Sequence, residues 1–188
     1  LALKDAKDLK ASVLEDHLNC EQGDLPEEIF RKDLLCPRIF FEELTPYRSM
    51  IREFFEEETK RSFAEQPERI LDYLKKNITF HPEEEYDTIM ATPVGVLTMK
   101  QGSPLAQKIL FVAICRSLNV AARLNPVTLE PEYYHNGAFH SVETEAAVLK
   151  DETESAVLTL NAEDGSAWKY YQTWTIGKWN GTVFETLN

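Results

Sequence analysis

Gly102-Ser103-Pro104-Leu105-Ala106-Gln107-Lys108-Ile109-Leu110-Phe111-Val112-Ala113-Ile114-Cys115-Arg116-Ser117-Leu118-Asn119-Val120-Ala121-Ala122-Arg123 is the stretch on which the reading of this chain turns. Ser103 has a side-chain oxygen suited to capping a helix, and Pro104 suits the first helical position, where its missing N–H is no loss. From Leu105 to Leu118 the run is strongly apolar, so a mostly buried helix is predicted over about 104–118. Asn119 then offers a left-handed stop.

Upstream of this helix the chain reads as helical. Leu3, Ala6, Leu9, Val13, Leu14 and Leu18 recur at helical spacing, which predicts one amphipathic helix from about 3 to 18. Gln22-Gly23-Asp24 breaks it. A second helix runs from Pro26 to about Leu35, ending where Cys36 precedes Pro37. A third starts near Thr45-Pro46, with Thr45 as cap and Tyr47, Met50, Ile51, Phe54 and Phe55 along one face; a fourth follows Pro67 with Ile70, Leu71 and Leu74. His81-Pro82-Glu83-Glu84-Glu85 reads as an exposed connection to the core helix.

Beyond Arg123 the period changes. Alternating segments at 156–160, 170–179 and 182–187 predict strands, and Asn180-Gly181 is a hairpin signal between the last two. The expected fold is therefore α+β: N-terminal helices, then a buried central helix packed on a mostly antiparallel sheet. Residues 1–188 are expected to form one domain, with a helical subdomain over 1–80 and the core helix and sheet over 90–188.

Composition narrows the function. With 188 residues and 43% hydrophobic content the chain can bury a sizeable core. A net charge of -12 opposes nonspecific nucleic-acid binding, which needs cations for phosphate, so no nucleic acid is expected as a partner. The longest apolar run is too short to span a bilayer, and no membrane insertion is expected. Cys20, Cys36 and Cys115 are odd in number and irregularly spaced, which gives neither a disulfide framework nor a metal site. No metal and no cofactor is expected. Cys115, well inside the apolar run, reads as an inert core residue. The first and last residues read as cut from a longer polypeptide, so neighbouring domains of a parent chain are expected partners.

Arg116-Ser117-Leu118-Asn119-Val120-Ala121-Ala122-Arg123 resembles the Arg-x-x-Gly-Ile-Pro-Ala-Arg helix exit of the transglutaminase-like superfamily, whose fold is papain-like. In that family a Gly-x-Cys motif opens the helix. Here Gly102 stands in the place of the motif glycine and Pro104, twelve residues before Arg116, in the place of the cysteine. A thiol at a helix N-terminus gains a stabilised thiolate and N–H donors for an oxyanion; proline supplies neither the thiol nor its own N–H. The resemblance thus implies a degenerate branch, as in multidomain bacterial transglutaminase-like proteins. Leu35-Cys36-Pro37-Arg38-Ile39, Thr92-Pro93-Val94-Gly95-Val96 and Glu130-Pro131-Glu132-Tyr133-Tyr134 extend it along the chain. It suggests a cell-envelope or secreted setting and leaves localisation open.

The same resemblance nominates site residues. Phe139-His140-Ser141-Val142-Glu143 is the nearest match to the family's histidine strand, one residue short, with His135 beside the Asn136-Gly137 turn as the competing histidine. Asn161 is the best-placed residue to orient an imidazole, and Ser103 is the candidate substitute nucleophile, against its simpler reading as a cap. Gly102, Pro104, Tyr134 and His135 are the candidate binding residues. Three functions follow: a silent domain serving as a peptide- or glycan-binding or structural module of a larger bacterial protein, a hydrolase or acyltransferase using a substitute nucleophile with His140, or a purely architectural domain that binds nothing. Glu56-Glu57-Glu58 and Glu83-Glu84-Glu85 read as solvated faces, not cation sites. Tyr170, Tyr171, Trp174 and Trp179 read as alternating core and surface positions.

Overall fold

The computed structural model describes residues 9–80 and 91–142, together with Asp5 and the strand segments 177–179 and 184–186. In chain order the elements are α1 (Ala11–Leu18), α2 (Glu27–Ile29) continuing as a π-helix (Phe30–Leu35), α3 (Tyr47–Phe54), α4 (Glu57–Glu65) and α5 (Glu68–Asn77). There follow β1 (Thr79–Phe80), α6 (Pro93–Met99), β2 (Gln101–Gly102), α7 (Pro104–Ser117), β3 (Ala122–Leu124), β4 (Pro131–His135), β5 (Ala138–Ser141), β6 (Gly177–Trp179) and β7 (Phe184–Thr186). The chain divides into two compact units, Leu1–Ala147 and Val148–Asn188. Among the described residues no helix is long and apolar enough to cross a membrane.

Helix α7 is the axis of the first unit. Every residue from Ile109 to Cys115 is completely buried, as an all-round apolar helix must be. It packs on α3, α5 and α6 and against β3 and β4. Ser103 caps it, its hydroxyl accepting from Ala106 N at 3.1 Å, and Asn119 ends it at φ +64°. The sheet β3-β4-β5 is antiparallel, with Ala122 opposite Tyr133 and Tyr133 opposite His140. Asn136 and Gly137, both at positive φ, close the β4–β5 hairpin in two residues. Alternation buries Ala122, Leu124, Tyr133 and Val142 on one face.

Two side chains orient the sheet on the helix. Arg116 Nε donates to the Ala122 carbonyl at 2.8 Å, so β3 leaves from the C-terminal end of α7. Lys108 Nζ meets Glu130 at 2.6 Å, so β4 starts beside the N-terminal half. The parallel pair β1–β2 brings the end of α5 to the start of α7.

The N-terminal helices clamp onto this core through polar groups. The Asp16 carboxylate accepts from the backbone N–H groups of Arg48 (2.7 Å) and Ser49 (2.9 Å), which caps α3 from another helix. This corrects the expectation that Thr45 is the cap: its hydroxyl is buried without a partner among the described residues. Arg48, fully buried, donates from Nε to His17 Nδ1 at 3.1 Å and from Nη2 to the Leu34 carbonyl.

Other expectations need correction. The single helix from 3 to 18 does not form: Asp5 is helical, Leu9 and Lys10 are not, and α1 begins at Ala11 after an extended Lys10. On α3 only Tyr47 and Ile51 of the predicted face are buried, with Phe55 just beyond the helix; Met50 and Phe54 are exposed. The helix from Pro26 to Leu35 is π-helical over most of its length. Helices α4 and α6 carry no prediction; α6 was hidden in Thr92-Pro93-Val94-Gly95-Val96, where Thr92 caps Gly95 N at 3.2 Å. In the second unit β6 and β7 pair antiparallel, with Trp179 opposite Phe184; the Asn180-Gly181 turn signal between them lies outside the described residues. The linker at 81–85 and the segment 156–160 lie outside the described residues.

Asp16→Ala is expected to cost about 1 kcal/mol, the usual worth of a helix cap, read as a lower urea midpoint. Thr45→Val, which removes an unpartnered buried hydroxyl, is expected to hold or raise that midpoint. Burial and the adjacent Arg48 charge lower His17 to about 4 from 6.5, so between those pH values the unfolded chain binds a proton that the folded chain refuses. Its contribution is complete above pH 6.5 and disappears as pH falls through 4, on the order of 3 kcal/mol in all. Denaturation curves from pH 7 to 4 should show that decline, with a flatter slope in His17→Gln.

Candidate functional site

The residues nominated from sequence lie at two ends of α7. At the N-terminal end Gly102, Ser103 and Pro104 are half-buried. A Cβ on Gly102 would come within 2.9 Å of Val96 Cγ1, so the close approach of α6 requires glycine there. Gln107 Nε2 donates to the Gly102 carbonyl at 3.1 Å. Pro104 has no N–H and Ala106 N–H is taken by Ser103, which removes two of the first three donors of the helix. The Ser103 hydroxyl is engaged as a cap, and no histidine is bonded to it among the described residues.

His140 sits elsewhere. It lies on β5, exposed, level with Tyr133 and Ala122, the rung that Arg116 ties to the C-terminal end of α7. Twelve residues of helix separate that end from Pro104, roughly 18 Å along the axis. The His140 ring stacks on Tyr133 at 5.6 Å between centroids, and its Nε2 is 3.1 Å from the His135 carbonyl. A carbonyl only accepts, so Nε2 carries the proton and Nδ1 is the basic atom. Asn161 lies outside the described residues, as do Tyr170, Tyr171 and Trp174; of Trp179 only the strand position is described.

A cleft of about 480 Å³ opens at this C-terminal end, with Tyr133, Tyr134 and His135 on one side and Gln66, Pro67 and Glu68 on another. The Tyr133 hydroxyl donates to Glu68. Burial first, and then that carboxylate, push the phenol up to about 12, so it stays a donor throughout the physiological range. Tyr134 packs edge-on against Phe139, and the Arg123 guanidinium covers the Phe139 ring at 3.7 Å while bonding Glu132 at 3.0 Å. Asn119 forms the roof: its amide donates to the Glu21 carbonyl at 3.0 Å and accepts from Glu21 N at 3.1 Å.

The three thiols differ in exposure: Cys20 and Cys36 are half-buried and Cys115 is buried. Cys115 is completely buried, and burial pushes its pKa well up. The Cys36 carbonyl accepts from Arg116 Nη1, and the Cys20 thiol faces the His17 carbonyl at 3.5 Å. Among the described residues no group of three or more His, Cys, Asp or Glu is disposed to hold a metal ion.

The buried helix with its arginine exit, the antiparallel sheet packed on it and the intervening turn agree with one comparison: the transglutaminase-like superfamily model matches residues 48–168. The chain belongs to the transglutaminase-like superfamily. No curated protein and no solved structure matches it significantly. The match begins at Arg48, so α1 and the π-helix precede it and bond into the superfamily core through that arginine and through Arg116.

Sequence reasoning missed Glu68, the Tyr133 hydroxyl and the second role of Asn119. Glu68 and Tyr133 are 65 positions apart, and no local pattern links them. Asn119→Gly keeps the left-handed backbone but removes both bonds to Glu21. It is expected to raise amide exchange at Glu21 selectively, while Asn119→Ala, strained at positive φ, also lowers global stability by about 1 kcal/mol.

Proposed function

We propose that this is a catalytically degenerate transglutaminase-like domain that works as a binding module of a larger bacterial protein, holding a peptide or glycan in the cleft beside Tyr134 and His135. The observation that carries this reading is Pro104 as the first residue of α7, the position at which the family motif has its nucleophilic cysteine. Ser103 beside it is committed to capping. Among the described residues the best general base, His140, is level with the opposite end of the helix, so it and Ser103 do not converge. The cleft near that base offers phenol faces, carboxylates and an exposed imidazole, the groups that hold sugar rings or peptide amides.

The second reading, a hydrolase or acyltransferase with a substitute nucleophile, draws on the exposed His140, whose Nδ1 has no hydrogen-bond partner among the described residues. Intact mass after exposure to an activated acyl ester separates the two. No stable adduct that depends on His140 is expected; acylation of Ser103, Cys20 or Cys36 that vanishes in His140→Ala would overturn the degenerate reading. Pro104→Cys sharpens the test. It should give a thiol at a helix N-terminus that alkylates much faster than Cys115, with no acyl turnover because among the described residues no imidazole stands beside it. Turnover in that variant would show that a base is within reach.

A further inference from the structure

The cleft of about 480 Å³ at the C-terminal end of α7 carries charge of one sign. Asp24, Glu65 and Glu68 all line it, and no lysine or arginine does. His135 is the only basic side chain on its wall. The three acidic residues are exposed, and among the described residues none of them forms an ion pair. A cleft walled by one sign of charge concentrates its potential at the mouth, and the chain's net charge of -12 adds to that at longer range.

Glu68 is held where that potential can be used. Its Oε1 accepts from the hydroxyl of the buried Tyr133, which itself lines the cleft, while Oε2 has no partner among the described residues. A carboxylate already fixed by a hydrogen bond loses little side-chain freedom on meeting a cation, and that loss is what makes most exposed pairs weak. The same bond occupies the Tyr133 proton, which is therefore not offered to a sugar hydroxyl. Leu25, Pro67 and Val120 also line the cleft and give an alkyl stem an apolar surface. The half-buried Tyr134 adds an aromatic ring, whose face attracts cations.

We propose that the cleft recognises a peptide through a lysine or arginine side chain, the charged end meeting Glu68 in the field of Asp24 and Glu65 and the methylenes lying on Leu25, Pro67 and Val120. This rests on the reading of the cleft as a binding site and names what it selects: a cationic peptide, over a neutral peptide or a glycan. The side chain is held and not acylated, since Pro104 at the far end of α7 supplies no thiol.

The probes are trilysine, triglycine and chitotriose, each titrated into the 188-residue chain while the backbone amide signals of Gly23, Glu68 and Tyr134, on three sides of the cleft, are followed by NMR. Trilysine is expected to give a saturable shift of all three, at least about tenfold tighter than triglycine or chitotriose, and to weaken with added salt. Glu68→Gln keeps an oxygen for the Tyr133 hydroxyl and removes the charge, so it should weaken trilysine about threefold to fivefold with the urea midpoint unmoved. The Asp24→Asn, Glu68→Gln double variant should weaken it further. Glu53→Gln, the same charge change at an exposed residue outside the cleft, should have no effect. Cleft binding of triglycine or chitotriose as tight as that of trilysine would overturn the cationic selection and leave the cleft a binding site. No response of the cleft amides to any of the three probes would remove that reading as well. Trilysine binding undiminished in the double variant, or equally diminished in Glu53→Gln, would reduce the attraction to net charge alone and overturn the proposal.

Discussion

The guanidinium of Arg116 joins helix α7, strand β3 and the segment after the π-helix. Its Nε reaches the Ala122 carbonyl on β3, and its Nη1 reaches the carbonyls of Cys36 and Arg38 in the segment after the π-helix. Only 2% of the residue is exposed, so every donor left unpaired would carry the full penalty of a desolvated charge. Backbone carbonyls satisfy it instead of a carboxylate, which ties the charge to a fold and not to a partner side chain. The direction in which β3 leaves the helix, and hence the position of the hairpin that carries Tyr133 and His140, follows from this contact.

That geometry gives the two ends of α7 different chemical characters. The N-terminal end is closed by a proline and a self-capping serine, with a glycine forced by the approach of Val96. The C-terminal end is open, polar and aromatic, and its roof is held by an asparagine whose side chain imitates a backbone peptide toward Glu21. A left-handed residue was needed there to end the helix; asparagine meets that need and adds the clamp, where glycine would meet only the first.

The N-terminal helices attach to the superfamily core by burying polar groups more than by extending its apolar core. Asp16 caps α3, His17 and Leu34 share Arg48, and Cys36 and Arg38 share Arg116. Among the described residues, the buried side-chain polar atoms left without partners, on His17, Thr45, Tyr47 and Arg48, are all near this seam. An attachment built this way depends on protonation state, since a charged His17 beside Arg48 would be repelled.

Much of the first unit was legible in the sequence. The buried helix, its serine cap, its asparagine stop and the Asn136-Gly137 hairpin follow from strong local rules: an apolar run long enough to be unambiguous, a side-chain oxygen placed for a helix N-terminus, and residues that tolerate positive φ. The amphipathic N-terminal pattern was legible as helix, but not its break at Lys10 or the exposure of Met50 and Phe54, because periodicity names a face without naming what covers it. The sequence by itself determined the buried helix with its two ends, the Asn136-Gly137 turn, and that proline stands first in that helix; it left α6 and the short strands β1 to β3 around α7 unread. Only the tertiary structure decided that Asp16 and not Thr45 caps α3, that Tyr133 meets Glu68, and that His140 and Ser103 belong to opposite ends of one helix. Those facts depend on pairings between residues tens of positions apart, which are set by chain direction and packing and leave no trace in local spacing.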